Sequence, residues 1–134
     1  MIVLADTSAW SRYYRNDVAE DDPVADAVEQ QVDARELVTT GVVYLELLRG
    51  FTRPAGRATI ESDFASLRFI EPSRADYASA ADLSVSCRTS GVQLDTIDAL
   101  IAQICISQNL QLLTADQDFV HAANHIPLNV WTPA

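Results

Sequence analysis

Ile2-Val3-Leu4-Ala5-Asp6-Thr7-Ser8 is the stretch that decides the fold. Four consecutive apolar residues without alternation describe a short strand buried on both faces, the habit of a parallel sheet. The run stops at an acid, so a carboxylate stands at the strand's carboxyl end. The same grammar returns along the chain. Leu37-Val38-Thr39, Phe69-Ile70, Leu110-Gln111-Leu112-Leu113 and Leu128-Asn129-Val130 read as further short strands. Pro72 closes the third, and the fourth ends at Thr114-Ala115-Asp116. Apolar residues at helical spacing predict helices over 9–14, 24–32, 42–48, 58–67, 75–88, 95–107 and 119–123. An acidic loop is expected over 16–23 and a turn at Arg53-Pro54-Ala55-Gly56, with Gly50 as the C-cap of the third helix and Gly91 ending the fifth. Short strands alternating with helices imply an α/β fold, a parallel sheet covered on both faces. No repeat, low-complexity stretch or long linker divides the chain, so residues 1–134 are expected to form a single domain.

The composition narrows the chemistry. The chain has 134 residues, enough to bury a sizeable core without disulfide or metal staples. Its formal net charge is −10, and the imbalance is lopsided within each class: 13 Asp against 6 Glu, and nine basic residues that are all Arg. With no lysine, a P-loop nucleotide site, a Schiff-base enzyme, a receiver-type phospho-acceptor and a haloacid-dehalogenase-type phosphatase are excluded in their usual forms. Such a charge disfavours broad adhesion to nucleic acid or anionic lipid, but it suits a cation-binding site or a basic protein partner. Cys87 and Cys105 lie in apolar helical patterns without a zinc-type spacing and read as buried small hydrophobes. No basic leader precedes the first apolar run, and no apolar stretch is long enough for a membrane span, so a cytoplasmic protein is expected.

Carboxylates that interrupt apolar sequence carry the functional signal. Asp6 follows the first strand and Asp116 follows the fourth. In an open parallel sheet, ligands bind beyond the carboxyl ends of the strands, and these two acids converge only if their strands are neighbours. Glu46 lies within Val42-Val43-Tyr44-Leu45-Glu46-Leu47-Leu48, where nearly every side of the helix is apolar. It is expected to face the interior or a cleft, where an unpaired carboxylate costs several kcal/mol unless a cation or an Arg compensates. The plainer alternative pairs it with Arg49, one turn on. Asp98 lies in the first turn of Asp95-Thr96-Ile97-Asp98-Ala99-Leu100-Ile101-Ala102. Acids there often cap, but Asp95 is the better cap and leaves Asp98 spare. Of Asp116 and Asp118, one is expected to bind and the other to cap the next helix, with Asp116 nearer the strand end. Carboxylates at about 4 Å repel by roughly 4 kcal/mol per pair at an effective dielectric near 20. An all-oxygen cluster therefore calls for a hard divalent cation, Mg²⁺ or Mn²⁺, which keeps waters that can become nucleophiles and suits phosphodiester hydrolysis.

The ordered set resembles the PIN-domain ribonucleases, and among them the VapC-type toxins of toxin–antitoxin pairs. The matching pieces are Leu4-Ala5-Asp6-Thr7-Ser8, Glu46-Leu47-Leu48-Arg49-Gly50, Thr96-Ile97-Asp98-Ala99-Leu100-Ile101-Ala102 and Leu112-Leu113-Thr114-Ala115-Asp116-Gln117-Asp118-Phe119, and they span nearly the whole chain. The resemblance implies an α/β/α sandwich whose five-stranded parallel sheet runs in the order 3-2-1-4-5, which sets the first and fourth strands side by side. It implies a metal-dependent endoribonuclease acting on tRNA or rRNA, a VapB-type antitoxin whose C-terminal segment wraps the toxin, and a homodimer. Asp6, Glu46, Asp98 and Asp116 match the four acidic positions, and Asp118 a fifth, variable one. Thr114 matches a hydroxyl near the site, and Ser8 is placed to hydrogen-bond Asp6. Asp95 has no counterpart in the pattern.

Weaker features have plainer readings beside them. His121 and His125 have helical spacing, but they lack a third zinc ligand, and Pro127 limits any helix there. Trp10, Tyr13 and Tyr14 could stack on unpaired bases or pack in the core or a dimer interface. Arg12, Arg15, Arg49 and Arg53 are candidates for phosphate contact or for pairing with acids, with Arg12 and Arg49 first. Two competing readings remain, a catalytically silent PIN-like module working by protein contact and a receiver-type acidic domain. The full set of four acids speaks against the former and the missing lysine against the latter.

Overall fold

In the computed structural model, which describes residues 1–15 and 21–134, five short parallel strands form one sheet in the order β3-β2-β1-β4-β5. The elements run β1 (Val3–Ala5), α1 (Thr7–Tyr14), α2 (Pro23–Ala34), β2 (Leu37–Thr39), α3 (Gly41–Gly50), α4 (Pro54–Ala65), β3 (Arg68–Phe69), α5 (Arg74–Thr89), α6 (Thr96–Ser107), β4 (Gln111–Leu113), α7 (Gln117–Ala122) and β5 (Asn129–Trp131). The α/β/α sandwich and its strand order are those the resemblance implies. Val3, Leu4 and Ala5 are all buried, as a central strand with neighbours on both sides requires. β1 pairs with β4 in the register Val3–Gln111, Leu4–Leu112, Ala5–Leu113. That register carries straight on into the residues that follow each strand.

The α1 and α2 helices pack against each other on one stretch of the sheet, and α5 lies along α6. Trp10 is 1% exposed, stacked on Tyr14 and tilted against Phe64, so packing rather than base stacking accounts for it. Cys87 and Cys105 are free and buried, as expected of small hydrophobes.

Several boundaries differ from the sequence reading. Ile2 is exposed and lies outside β1, β3 and β5 are displaced by one residue, and β3 is an exposed edge strand. Arg53-Pro54-Ala55-Gly56 is not a free-standing turn: Pro54 opens α4, because its fixed φ and missing N–H suit a helix's first position. Gly50 is the last residue of α3 and not its C-cap, which is Phe51. Gly91 does end α5, with φ +82. Of the expected loop over 16–23, residues 16–20 lie outside the described residues, whereas Asp22 is the N-cap of α2 and Pro23 its first residue.

Candidate active site

Of the helices that begin at the carboxyl end of the sheet, α1, α6 and α7 have an acid as N-cap. Asp6 leaves β1 in extended conformation and caps α1, accepting from the Ala9 N–H at 3.0 Å. Asp116 leaves the β4 end and caps α7, accepting from the Asp118 N–H at 2.9 Å. Asp95 caps α6, accepting from the Asp98 N–H at 2.7 Å, which leaves Asp98's own carboxylate free of capping work. The positive ends of three helix dipoles thus meet a group of carboxylates, offsetting part of their repulsion. Glu46 comes from the middle of α3 and is half-buried.

Asp6 is the most tightly held of them, at 4% exposure. Ser8 Oγ–H donates to its Oδ1 and Thr114 Oγ–H to its Oδ2, both at 2.7 Å. Each hydroxyl then accepts a main-chain N–H from the loop after β4, Ser8 from Ala115 at 3.0 Å and Thr114 from Asp116 at 2.9 Å. Both hydroxyl protons are directed at Asp6, so the network is built around a carboxylate that only accepts. Burial pushes the Asp6 pKa up, while Ser8, Thr114 and the Ala9 N–H pull it back and the Asp116 charge adds to the rise.

The other acids are held more loosely. Thr7 Oγ–H donates to Glu46 Oε1 at 2.7 Å, bridging α1 to α3. Among the described residues Glu46 makes no ion pair with Arg49, so the plainer pairing is not formed. Asp98 is half-buried, and its carboxylate receives no hydrogen bond among the described residues. Its pKa is pushed up to about 7, first by burial and then by the charges of Asp95, Asp116, Asp6 and Glu46. Asp98 thus feels the charge of three acids far from it in the chain, Asp6, Glu46 and Asp116. Asp118 is exposed and lines a cavity of about 550 Å³ together with Asp95 and Asp98.

As the side chains stand, no three acid, His or Cys side chains among the described residues are close enough to share one metal ion. The donor chemistry nonetheless fits a hard cation: Asp6, Glu46, Asp98 and Asp116 offer carboxylate oxygens, and Asp98 is half-buried, receives no hydrogen bond among the described residues and is raised in pKa by burial and then by its neighbours' charges.

Other candidates are placed elsewhere. Arg12 is spent on Asp22 (2.6 Å), tying α1 to the start of α2 instead of facing a phosphate. Burial raises the Asp22 pKa, but hydrogen bonds from Arg12 and from the Ala25 and Val24 N–H groups outweigh it and hold the carboxyl below its ordinary value. Arg49 is exposed in the last turn of α3. The helix containing His121 ends at Ala122, so His125 does not share a helical face with it. Two residues were missed as participants. In the sequence Thr7 is only one of two hydroxyls following Asp6, and Asp95 has no counterpart in the family pattern, yet it caps α6 and is the strongest of the charges acting on Asp98.

A model of the PIN domain matches residues 3–124. The chain belongs to the PIN-domain family. The fold of this PIN domain is similar to the toxin–antitoxin complex VapBC2 of Rickettsia felis bound to a fragment of its promoter DNA (19% identity, 100% of each chain covered, TM-score 0.78). It is also similar to FitAcB of Neisseria gonorrhoeae (19% identity, 97% and 96% covered, TM-score 0.74). A third likeness is to VapC20 of Mycobacterium tuberculosis, described as a toxin that cleaves the sarcin-ricin loop (16% identity, 95% and 98% covered, TM-score 0.69). No curated protein sequence matches that of this PIN domain.

Proposed function

We propose that this PIN-domain protein is a divalent-metal-dependent endoribonuclease, the toxin of a VapC-type toxin–antitoxin pair, and that its 134 residues act as one domain. One observation carries the reading: the half-buried, donor-free Asp98 carboxylate, raised in pKa beside Asp6, Asp116 and Glu46. Uncompensated, that arrangement is costly, and a cation offsets it. Asp6, Glu46, Asp98 and Asp116 are the residues that would hold Mg²⁺ or Mn²⁺, with Asp118 at the margin. The ion, when bound, supplies Lewis acidity and a water of lowered pKa. The chain's own part is positional. Ser8 and Thr114 offset part of the burial that raises the Asp6 pKa and fix its orientation, Thr7 holds Glu46 towards α1, and Asp95 leaves Asp98 unencumbered. Arg49 is a candidate for holding a phosphate, whereas Arg12 is already engaged.

Support for the biological setting comes from the relatives of like fold, which include VapBC complexes and a toxin described by the rRNA loop it cleaves. A structured RNA such as rRNA or tRNA, a VapB-type antitoxin, a homodimer and a cytoplasmic setting follow from that reading. Among the described residues, no helix is long and apolar enough to cross a membrane. One observation favours the alternative of a silent binding module, the lack of a ready-made three-ligand group among the described residues. Titration of the protein with Mn²⁺ by calorimetry, beside RNA cleavage by wild type and Asp6→Asn, separates the two. The nuclease reading expects Mn²⁺ binding and cleavage, with cleavage lost in a folded Asp6→Asn protein. Undiminished cleavage by that variant, or no Mn²⁺ binding to wild type, sinks it.

A further inference from the structure

The cavity lined by Asp98 and Asp118 is also lined by the α5–α6 connection, and that part of its wall is chemically different. Val92, Gln93 and His121 line it, beside Asp95. Its volume, about 550 Å³, lies within the range of small-ligand sites, roughly 300–1,000 Å³. The connection that carries Gln93 is fixed on both sides. Gly91, with φ +82, lets the end of α5 close on itself: the Gly91 N–H donates to the Arg88 carbonyl at 3.0 Å and the Val92 N–H to the Cys87 carbonyl at 2.8 Å. That is the Schellman arrangement, which only a residue comfortable in the left-handed region completes without strain. Downstream, Leu94 is buried, its carbonyl accepts from Ser84 Oγ–H at 3.4 Å, and Asp95 caps α6. Gln93 is therefore an exposed amide on a short, doubly anchored segment, preorganised rather than loose.

The character of the wall selects the ligand. Asp95, the acid of this wall that the ion does not claim, repels a free phosphate, so the cavity beside it suits a neutral group that donates a hydrogen bond to a carboxylate. An RNA chain whose phosphate lies at the carboxylate group brings its adjoining nucleotide past this wall. We propose that the cavity is a base subsite for the nucleotide flanking the cleaved bond, that Gln93 reads the base edge, that His121 offers a stacking face, and that the preferred base is adenine. This rests on the nuclease reading above. Adenine fits because a Gln amide pairs bidentately with its N6 and N7, and its exocyclic amino group also donates to a carboxylate. Uracil has one donor, N3–H, and it is flanked by two carbonyl oxygens that a carboxylate repels. Unpaired bases in RNA are commonly recognised this way, by edge contacts and by stacking on flat side chains.

Two measurements test the inference. In the first, a short single-stranded RNA with each base in turn beside the mapped cleavage site is cleaved in the presence of Mn²⁺. Wild type is expected to favour adenine in kcat/KM. Gln93→Ala is expected to flatten the adenine-over-uracil preference by about tenfold. His121→Ala is expected to raise KM by about tenfold, with a smaller effect on kcat. A Gln93→Ala protein with the wild-type base profile overturns the proposal. In the second, adenosine and uridine are titrated into uncleaving, metal-free protein and the main-chain amide signals are followed. Shifts at Val92 and Gln93 with adenosine, lost in Gln93→Ala, support the subsite even if no RNA is cleaved. Their absence overturns it even if RNA is cleaved, so failure of the subsite and failure of the nuclease reading are told apart.

Discussion

Thr7 shows how much a site depends on a residue that no charge pattern marks. Its hydroxyl makes one 2.7 Å bond to Glu46 and takes no part in capping α1, which Asp6 does. A single neutral-to-charged hydrogen bond contributes about 1.5–3 kcal/mol at most, so Thr7→Val is expected to unfold little of the protein while freeing Glu46 to rotate. RNA cleavage should fall by about tenfold, with the thermal unfolding midpoint lowered by about 5–15 °C at most and the protein still folded at the assay temperature. Wild-type cleavage in that variant would show that Glu46 needs no such guide. Asp98 carries a second expectation at this scale. Its folded pKa of about 7 lies above the 3.8 of an unperturbed Asp, so between those values the folded chain keeps a proton that the unfolded chain has lost. Stability of the metal-free protein from this group is therefore full below about pH 4 and declines as pH rises towards 7. Mn²⁺ competes with that proton, so its stabilising effect should grow over the same interval. Melting curves from pH 4 to 8, with EDTA or with Mn²⁺, check both; parallel curves, or a metal-free protein that gains stability up to pH 7, would contradict the assignment. Asp98→Asn should abolish the difference between them.

At the scale of elements, the strands and the acids that follow them were legible because one physical habit produces both. A buried parallel strand must be apolar throughout, and the helix after it needs a cap, so Leu4-Ala5-Asp6 and Leu113-Thr114-Ala115-Asp116 announce strand end and helix start together. What was not legible lies where the same residue serves two local structures. Pro54 reads as turn or as helix start, and only the packing of Ile60 and Phe64 into the core decides for α4. Gly50 reads as a C-cap, yet nothing there needs positive φ. Thr7 and Arg12 escaped because their partners, Glu46 and Asp22, lie on other elements: whether a hydroxyl meets an acid 39 residues away, or an Arg an acid beyond a loop, is set by tertiary packing. The Arg12–Asp22 pair joins two helices and caps one of them, with Asp22 accepting from Val24 and Ala25. Asp22→Ala removes cap and ion pair together, and the loss should reach about 1–2 kcal/mol, with cleavage per folded molecule retained. Urea unfolding measures it; an unchanged midpoint would mean that the α1–α2 junction owes nothing to this acid.

For the whole molecule, the net charge of −10 and the proposed RNA substrate are in tension until charge is assigned to places. A polyanion approaching this surface meets a repulsive mean field, and only locally placed cations reverse it. With no lysine, those cations are nine Arg and whatever ion the carboxylates hold. Among the described residues, Arg12 is paired with Asp22 and Arg57 with Glu61. The nine Arg are outnumbered by 19 acids, so the affinity for RNA should depend on the ion more than on salt-sensitive Arg contacts. Binding of a fluorescent RNA made uncleavable by a methylenephosphonate (a P–C bond in place of the P–O bond that breaks) should weaken by about tenfold or more when Mn²⁺ is replaced by EDTA. In the presence of Mn²⁺, the logarithm of affinity against the logarithm of salt should have a shallow slope, about −0.7 to −1.4, as for one or two phosphates neutralised on a single strand. A steep slope with no loss on metal removal would place the recognition on an Arg surface instead, and the carboxylates would then act only in the chemical step.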